Sequence, residues 1–91
     1  MRDPNAGGEK DLLERFKAGD EEAFLRLYRE RQGSIYRFAL QMSGSPSLAE
    51  DLTQEVFLTL IREAGHFGAT CGPLAAYLHG IARNLVADYL R

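Results

Sequence analysis

The chain has 91 residues, of which 45% are apolar and 26% are charged, and its formal net charge is -2. This length suits one domain with a single hydrophobic core and argues against a multidomain architecture. No apolar run approaches the ~20 residues of a membrane-spanning helix, so membrane insertion is not expected. The slightly negative charge argues against a protein that holds duplex DNA mainly by neutralising its phosphates.

The single cysteine, Cys71, has no partner for an internal disulfide, which fits a reducing compartment. Residues 1–10 lack the apolar stretch of a signal peptide, so we expect a cytoplasmic protein with a flexible N-terminal tail. His66, Cys71 and His79 are scattered candidates that do not form a closed ligand set. Neither a metal site nor another cofactor is therefore predicted.

A short first helix is predicted over residues 11–18, where apolar side chains recur at helical spacing. Gly19 then supplies a residue for which a left-handed backbone costs little, as is typical of helix ends. Asp20 is placed to cap the next helix, because its carboxylate can accept from N–H groups that the first turn leaves unpaired. The inward side chains of the short helix would be Leu12, Leu13 and Phe16.

The longest helix is predicted from Asp20 to Ser43, because apolar residues keep a helical period throughout this stretch. Gly33 lies inside it and costs about 1 kcal/mol relative to alanine. The short turn at residues 44–46 would return the chain antiparallel to this helix. The predicted inward residues are Phe24, Leu27, Tyr28, Ile35, Phe38, Ala39 and Met42.

A central helix is predicted in the string SLAEDLTQEVFLTLI, residues 47–61, and is expected to end at Gly65. Ser47 followed by Glu50 fits a capping box, in which each side chain accepts from a backbone N–H of the first turn. The outward face groups Asp51, Gln54 and Glu55, which taken alone is typical of a solvated helix face. The predicted inward residues are Leu48, Ala49, Leu52, Val56, Phe57, Leu60, Ile61 and Ala64.

A loop and a last helix complete the chain. The run HFGATCGP, residues 66–73, has no periodicity and several glycines, which indicates a loop. Pro73 is well placed at the start of the last helix. The inward residues of that helix would be Leu74, Leu78, Ile81, Ala82, Leu85 and Tyr89. With no strand pattern, the predicted fold is all-α, a compact bundle of three main helices plus the short first one.

One flank of the last helix carries the residue types that bind unpaired bases. At 100° per residue, Tyr77, Gly80, Asn84, Asp88 and Arg91 fall along the same side. An aromatic ring can stack on a base and an amide can pair with a base edge, which implies single-stranded DNA as the ligand. The alternatives are an aromatic at the edge of the core for Tyr77 and a polar partner inside the fold for Asn84.

Two strings match segments of a known family. AEDLTQEVFLTL, residues 49–60, is similar to the A-E-D-L-x-Q-E-x-F-L pattern of a polymerase-binding helix, and YLHGIARN, residues 77–84, to a W-L-Y-x-I-A-R-N segment. Both patterns belong to region 2 of bacterial sigma factors of the extracytoplasmic-function class, and the resemblance covers residues 11–91. It implies a sigma factor region 2 domain that acts in transcription initiation.

The resemblance also implies partners and site residues. Region 2 in this class binds the clamp coiled coil of the beta-prime subunit of RNA polymerase and captures unpaired non-template bases of the promoter minus-ten element. The matching polymerase-binding positions are Asp51, Gln54, Glu55, Phe57 and Leu58. For the flipped base, the matching positions are Phe67, His79 and Asn84, and the predicted DNA-binding set is Phe67, Tyr77, His79, Asn84, Asp88 and Arg91.

The chain departs from the family pattern in several ways, among them the loop HFGATCGP, which lacks the basic residues common there. Tyr77 stands where tryptophan is usual, His79 where tyrosine is frequent and Gly80 where arginine is often found, so weaker stacking and weaker phosphate contacts are expected. No helix-turn-helix domain for the minus-thirty-five element (region 4) follows the region 2 segment before Arg91. We therefore expect the chain to be part of a longer protein.

A second function also fits the same residues. The acidic and apolar faces could belong to a protein-interaction module that docks an anti-sigma factor or another regulator without reading the promoter. An anti-sigma factor is an expected partner under either function. An enzyme would need a nucleophile paired with a base, or a closed set of metal ligands, and neither is found in the sequence. We therefore expect a protein that is not an enzyme.

Overall fold

The computed structural model describes the backbone of residues 8–63 and 74–90 and the side chains of residues 11–63 and 74–90. These residues form helices and no strand, which confirms the predicted all-α class. No helix in these ranges is both long and apolar enough to cross a membrane. The chain divides into two compact units, Met1–Glu30 and Arg31–Arg91. The helices are α1 (Gly8–Lys17), α2 (Glu21–Ser43), α3 (Pro46–Arg62) and α4 (Leu74–Leu90).

The first unit contains α1 and the beginning of α2. Helix α1 starts at Gly8, earlier than the predicted start at residue 11, because Glu9 and Lys10 are both good helix formers. The rings of Phe16 and Phe24 are tilted against each other with centroids 5.4 Å apart. This pair joins the two helices of the unit. The buried apolar side chains of the unit are Leu12, Leu13, Ala23 and Leu27.

The turn between α1 and α2 is held by the predicted cap. Gly19 adopts the left-handed backbone, with φ at +100°. One carboxylate oxygen of Asp20 accepts from the N–H groups of Glu22, at 3.0 Å, and Ala23, at 3.2 Å. The other oxygen accepts from the Arg15 guanidinium, with Nη2 at 2.9 Å. Hydrogen bonds from the Ala23 N–H and from Arg15 lower the pKa of the Asp20 carboxyl below its usual value of 3.8.

The core of the second unit is formed by three helices. Ala39 of α2, Ala49 and Leu52 of α3 and Val86 of α4 make one buried cluster. Helix α3 packs against α4, and a fully buried Leu, Ile or Val contributes about 1.5 to 3 kcal/mol. Partly buried side chains that cover the cluster are Tyr36, Leu40, Leu48 and Leu85. Other side chains buried to 2% exposure or less are Ile35, Val56, Phe57, Leu60, Leu78 and Ala82.

Several predicted inward residues are exposed. Met42 and Ile61 are each 47% exposed and Tyr89 is 63% exposed, and all three lie in the last turn of their helices. The helical period identifies a face but not how far along the helix a neighbour covers that face. Conversely, Val86 is buried although it was not predicted to be. Thr53 is also buried, and its hydroxyl donates to the Ala49 carbonyl at 2.7 Å.

The cap of α3 differs from the predicted one. Ser45, not Ser47, is the cap, with an extended backbone and a hydroxyl that accepts from the Leu48 N–H at 3.2 Å. Pro46 is the first residue of the helix, where its missing N–H costs no hydrogen bond. The predicted capping box is therefore wrong, because the preference of proline for the first helical position moves the cap back to Ser45. Helix α3 ends at Arg62, and the predicted end at Gly65 lies outside the described residues.

We predict that Ser45→Ala lowers the free energy of unfolding by about 1 kcal/mol, because the Leu48 N–H loses its acceptor. The matched variant Ser47→Ala, an exposed position inside the same helix, should change it by less than about 0.5 kcal/mol. Urea unfolding followed by circular dichroism measures both. A larger loss in Ser47→Ala than in Ser45→Ala would contradict the cap assignment.

Asp20 should make the stability of the first turn of α2 depend on pH. Since its folded pKa lies below the unfolded value, the contribution of the carboxylate is complete above that value of 3.8 and is lost as the pH falls through the folded pKa. The difference in unfolding free energy between the native chain and Asp20→Ala should therefore narrow below about pH 4. Urea unfolding at neutral and acidic pH tests this, and a difference that does not vary with pH would refute it.

Candidate functional site

Helix α3 presents an exposed stripe of mixed character. Asp51, Gln54, Leu58 and Ile61 follow one another at three- and four-residue steps and all four are exposed, so they share one side of the helix. We call these four residues the outer stripe. Leu58 is 50% exposed and Ile61 is 47% exposed, and their three-residue spacing places these two apolar side chains next to each other on the helix surface. The stripe thus combines an apolar patch with a carboxylate and an amide.

Ile61 is a candidate that the sequence analysis missed as a site residue. It was predicted to be inward because it continues the apolar period of the helix. Its position three residues after Leu58 is the signal that could have found it, since both side chains then lie on the same helix face.

Glu55 lies beside the outer stripe and is half-buried. Its carboxylate accepts from Arg62 Nη2 at 3.2 Å, and the same nitrogen donates to the Thr59 hydroxyl at 3.1 Å. Exposed ion pairs of this kind contribute at most about 1 kcal/mol. Their effect here is electrostatic, because Arg62 offsets part of the negative charge that the sequence predicted for this face.

Phe57 does not fit a direct contact with a partner. It was placed in the predicted polymerase-binding set, but only 2% of its surface is exposed. The resemblance identifies the helix, whereas the packing of the second unit decides which side of that helix is covered. Phe57 therefore supports the outer stripe from within the core.

Tyr77 joins the beginning of α4 to the end of α3. It is half-buried, and its hydroxyl donates to Oε1 of Glu63 at 3.1 Å. This position is closer to the core-edge alternative for Tyr77 than to a fully exposed stacking platform. The hydrogen bond thus connects a residue that precedes the segment 64–73 in the chain to one that follows it.

The outward flank of α4 includes the predicted amide and carboxylate. Asn84 and Asp88 lie one helical turn apart and both are exposed, as is the neighbouring Arg83. The exposure of Asn84 does not support a polar partner inside the fold. At Gly80, an added Cβ would meet no atom of the described residues within 4 Å. The flank thus carries an amide and a carboxylate next to a position that has no side chain.

His79 faces α2 instead of the outward flank. Its Nε2 lies 3.1 Å from the hydroxyl oxygen of Ser34, and its ring meets Phe38 edge-on with centroids 5.3 Å apart. The predicted DNA-binding set is therefore divided by the structure, with Asn84 and Asp88 on the surface and His79 at a helix-helix contact.

Two members of the predicted set, Phe67 and Arg91, lie outside the described residues, as do His66 and Cys71. The described ranges contain no group of three or more His, Cys, Asp or Glu side chains that could hold a metal ion. The exposed candidate surfaces in these ranges are the outer stripe of α3 and the flank of α4.

Comparisons with known proteins point to one family. Residues 27–91 match sigma-70 region 2. The chain is 42% identical over 81 residues to the ECF RNA polymerase sigma factor BldN of Streptomyces coelicolor, covering 89% of this chain and 31% of that protein. It is 36% identical over 75 residues to the ECF RNA polymerase sigma factor SigL of Mycobacterium tuberculosis, covering 81% of this chain and 42% of that protein.

A third relative, the RNA polymerase sigma factor CarQ of Myxococcus xanthus, is 36% identical over 81 residues, which are 87% of this chain and 45% of that protein. The chain thus spans less than half of the length of each of these three relatives. No solved structure gave a significant match.

The neighbours Phe57 and Leu58 provide a matched test of which side of α3 is free. We predict that Phe57→Ala lowers the free energy of unfolding by about 3 to 5 kcal/mol, because it leaves a cavity in the core. Leu58→Ala should change it by less than about 0.5 kcal/mol, because half of that side chain is already in water. Urea unfolding measures both, and equal losses would show that the helix face is assigned incorrectly.

Proposed function

Because the chain belongs to the sigma-70 region 2 family, we propose that it is the part of a sigma factor that binds RNA polymerase and captures promoter bases in transcription initiation. The observation that carries the proposal is the division of exposed groups between two helices of the second unit. Helix α3 carries an apolar and acidic stripe, and α4 carries an exposed amide and an exposed carboxylate. The first suits a protein partner and the second suits bases.

The proposed polymerase contact is the outer stripe. Burying exposed Leu58 and Ile61 against a partner removes apolar area from water, which favours binding by roughly 25 cal/mol per Å². Asp51 and Gln54 flank these residues and would orient a basic, polar partner surface, as polar groups at the rim of an interface do. The proposed partner surface is the clamp coiled coil of the beta-prime subunit. Phe57 contributes only by holding α3 in place.

The proposed DNA contact is the outward flank of α4. Asn84 can donate to and accept from a base edge at the same time, and Asp88 can accept from an exocyclic amino group. A carboxylate repels phosphate, so this flank suits the edges of unpaired bases better than the DNA backbone. The proposed ligand is the non-template strand of the minus-ten element. Phe67 and Arg91 enter this proposal through the family resemblance alone.

No covalent chemistry is needed for promoter melting by this route. Extruding a base costs a few kcal/mol, and stacking worth ~1 to 3 kcal/mol together with hydrogen bonds to its edge offsets that cost. Capture of the unpaired base thus shifts the equilibrium towards the open duplex. With a net charge of -2, the chain contributes little attraction to phosphates, so that attraction would come from polymerase.

A crossed binding experiment tests both contacts. We predict that the double variant Gln54→Ala with Leu58→Ala weakens binding of a beta-prime clamp fragment on the order of tenfold, because it removes the centre of the outer stripe. Asn84→Ala should weaken binding of a single-stranded minus-ten oligonucleotide by about threefold to tenfold in the presence of the clamp fragment. Each variant should leave the affinity for the other partner unchanged, as should the exposed control Gln41→Ala.

The two possible failures have different meanings. An unchanged clamp affinity in the double variant would refute the outer stripe as the polymerase contact. Clamp binding that depends on the outer stripe, with no oligonucleotide preference and no effect of Asn84→Ala, would instead indicate a protein-interaction module that docks a regulator.

A further inference from the structure

His79 contacts α2 through a hydrogen bond, whose strength depends on its angle, whereas the buried contacts around it are apolar and depend little on direction. His79 Nε2 and the Ser34 hydroxyl oxygen are 3.1 Å apart, and the edge-on ring of Phe38 restricts the imidazole on a second side. Both groups are partly buried, which strengthens a hydrogen bond relative to one in open water. Ser34 and His79 are 45 positions apart in the chain, so the bond is a tertiary contact.

The buried side chains of α4 include Leu74, Leu78 and Val86, which hold the helix against the core. Hydrophobic burial is itself not directional, so the hydrogen bond of His79 adds a constraint of a different kind. The bonded pair is also flanked by residues without side chains, since Gly33 precedes Ser34 and Gly80 follows His79. A hydrogen bond weakens steeply when its angle or length is wrong, so it restricts rotation more than apolar contact does.

We propose that His79 is a positioning residue, which fixes the rotation of α4 about its axis through Ser34 and Phe38 and thereby aims Asn84. The inference rests on the proposed function for its consequence, because the group that is aimed is the proposed base contact. It replaces the direct DNA contact that the family resemblance implied for His79. The same Nε2 cannot serve Ser34 and a base edge together in this geometry.

The expected displacement is large enough to matter for a base contact. Side-chain ends lie about 5 to 6 Å from the axis of a helix, so a rotation of ~20° moves them by roughly 2 Å. A hydrogen bond tolerates only a few tenths of an ångström around 2.7 to 3.2 Å before it is lost. Asn84 could then no longer make both of its bonds to one base edge, whereas the outer stripe on α3 would be unaffected.

The test uses three variants of the full chain. Ser34→Ala removes the partner, His79→Phe keeps a ring against Phe38 without the hydrogen bond, and His79→Gln supplies a polar group at a similar reach. Ser34→Ala and His79→Phe should each weaken binding of a single-stranded minus-ten oligonucleotide by about threefold to tenfold. A double variant that combines Ser34→Ala with His79→Phe should lose no more affinity than either single variant, because both substitutions remove the same hydrogen bond. His79→Gln should recover most of the affinity, and clamp binding should not change.

Residual dipolar couplings of the α4 N–H groups relative to those of α3 measure the rotation without any DNA. They should change in Ser34→Ala and His79→Phe and return towards native values in His79→Gln. Unchanged couplings in Ser34→Ala would overturn the inference even if the proposed function holds. If the couplings change in Ser34→Ala and His79→Phe but Asn84→Ala has no effect on oligonucleotide binding, the result counts against the proposed function and not against the positioning of α4.

Two further outcomes would overturn the positioning role. Weaker oligonucleotide binding in His79→Phe but not in Ser34→Ala would indicate that His79 contacts DNA directly. A lower melting temperature in both variants, with unchanged couplings and unchanged affinities, would indicate a role in stability alone. The exposed substitution Gln41→Ala on α2 controls for general effects of replacing a polar residue on that helix.

Discussion

The packing of α3 against α4 is the constraint on which the described surface depends. Val56 and Leu60 of α3 and Leu78 and Ala82 of α4 are fully buried, and each large side chain among them favours this arrangement by about 1.5 to 3 kcal/mol. Once this face of α3 is covered, the opposite face must meet solvent. The outer stripe is therefore a consequence of core packing, and its two apolar residues remain exposed because no described helix covers them.

The sequence predicted the helices well because their signals are local. The apolar period, the glycines at 19 and 44 and the cap at Asp20 all act within a few residues, and the structure confirms each of them. The cap of α3 was predicted incorrectly at Ser47, because two serines close to Pro46 can each accept from a first-turn N–H. The proline decides between them, since its fixed φ and missing N–H suit the first helical position.

The sequence predicted which helices carry the candidate site, but not which of their side chains are exposed and which are packed against another helix. The family resemblance marks Phe57 and Leu58 alike, yet one is 2% exposed and the other 50%. It marks His79 and Asn84 alike, yet His79 is bonded to a residue 45 positions away. Such differences arise from tertiary packing, and a local pattern does not contain the position of the neighbouring helix.

In the proposed function, the distribution of charge favours discrimination between DNA bases over tight binding to the DNA backbone. The formal net charge of the chain is -2, the guanidinium of Arg62 is already bonded to a carboxylate, and Arg83 is the exposed cation next to Asn84. Binding that gains little from phosphates depends weakly on salt and strongly on groups that meet base edges. If Asn84 contacts a base as proposed, its orientation would determine much of the discrimination between bases. A base that leaves the amide unpaired makes no hydrogen bond to offset the cost of removing the amide from water.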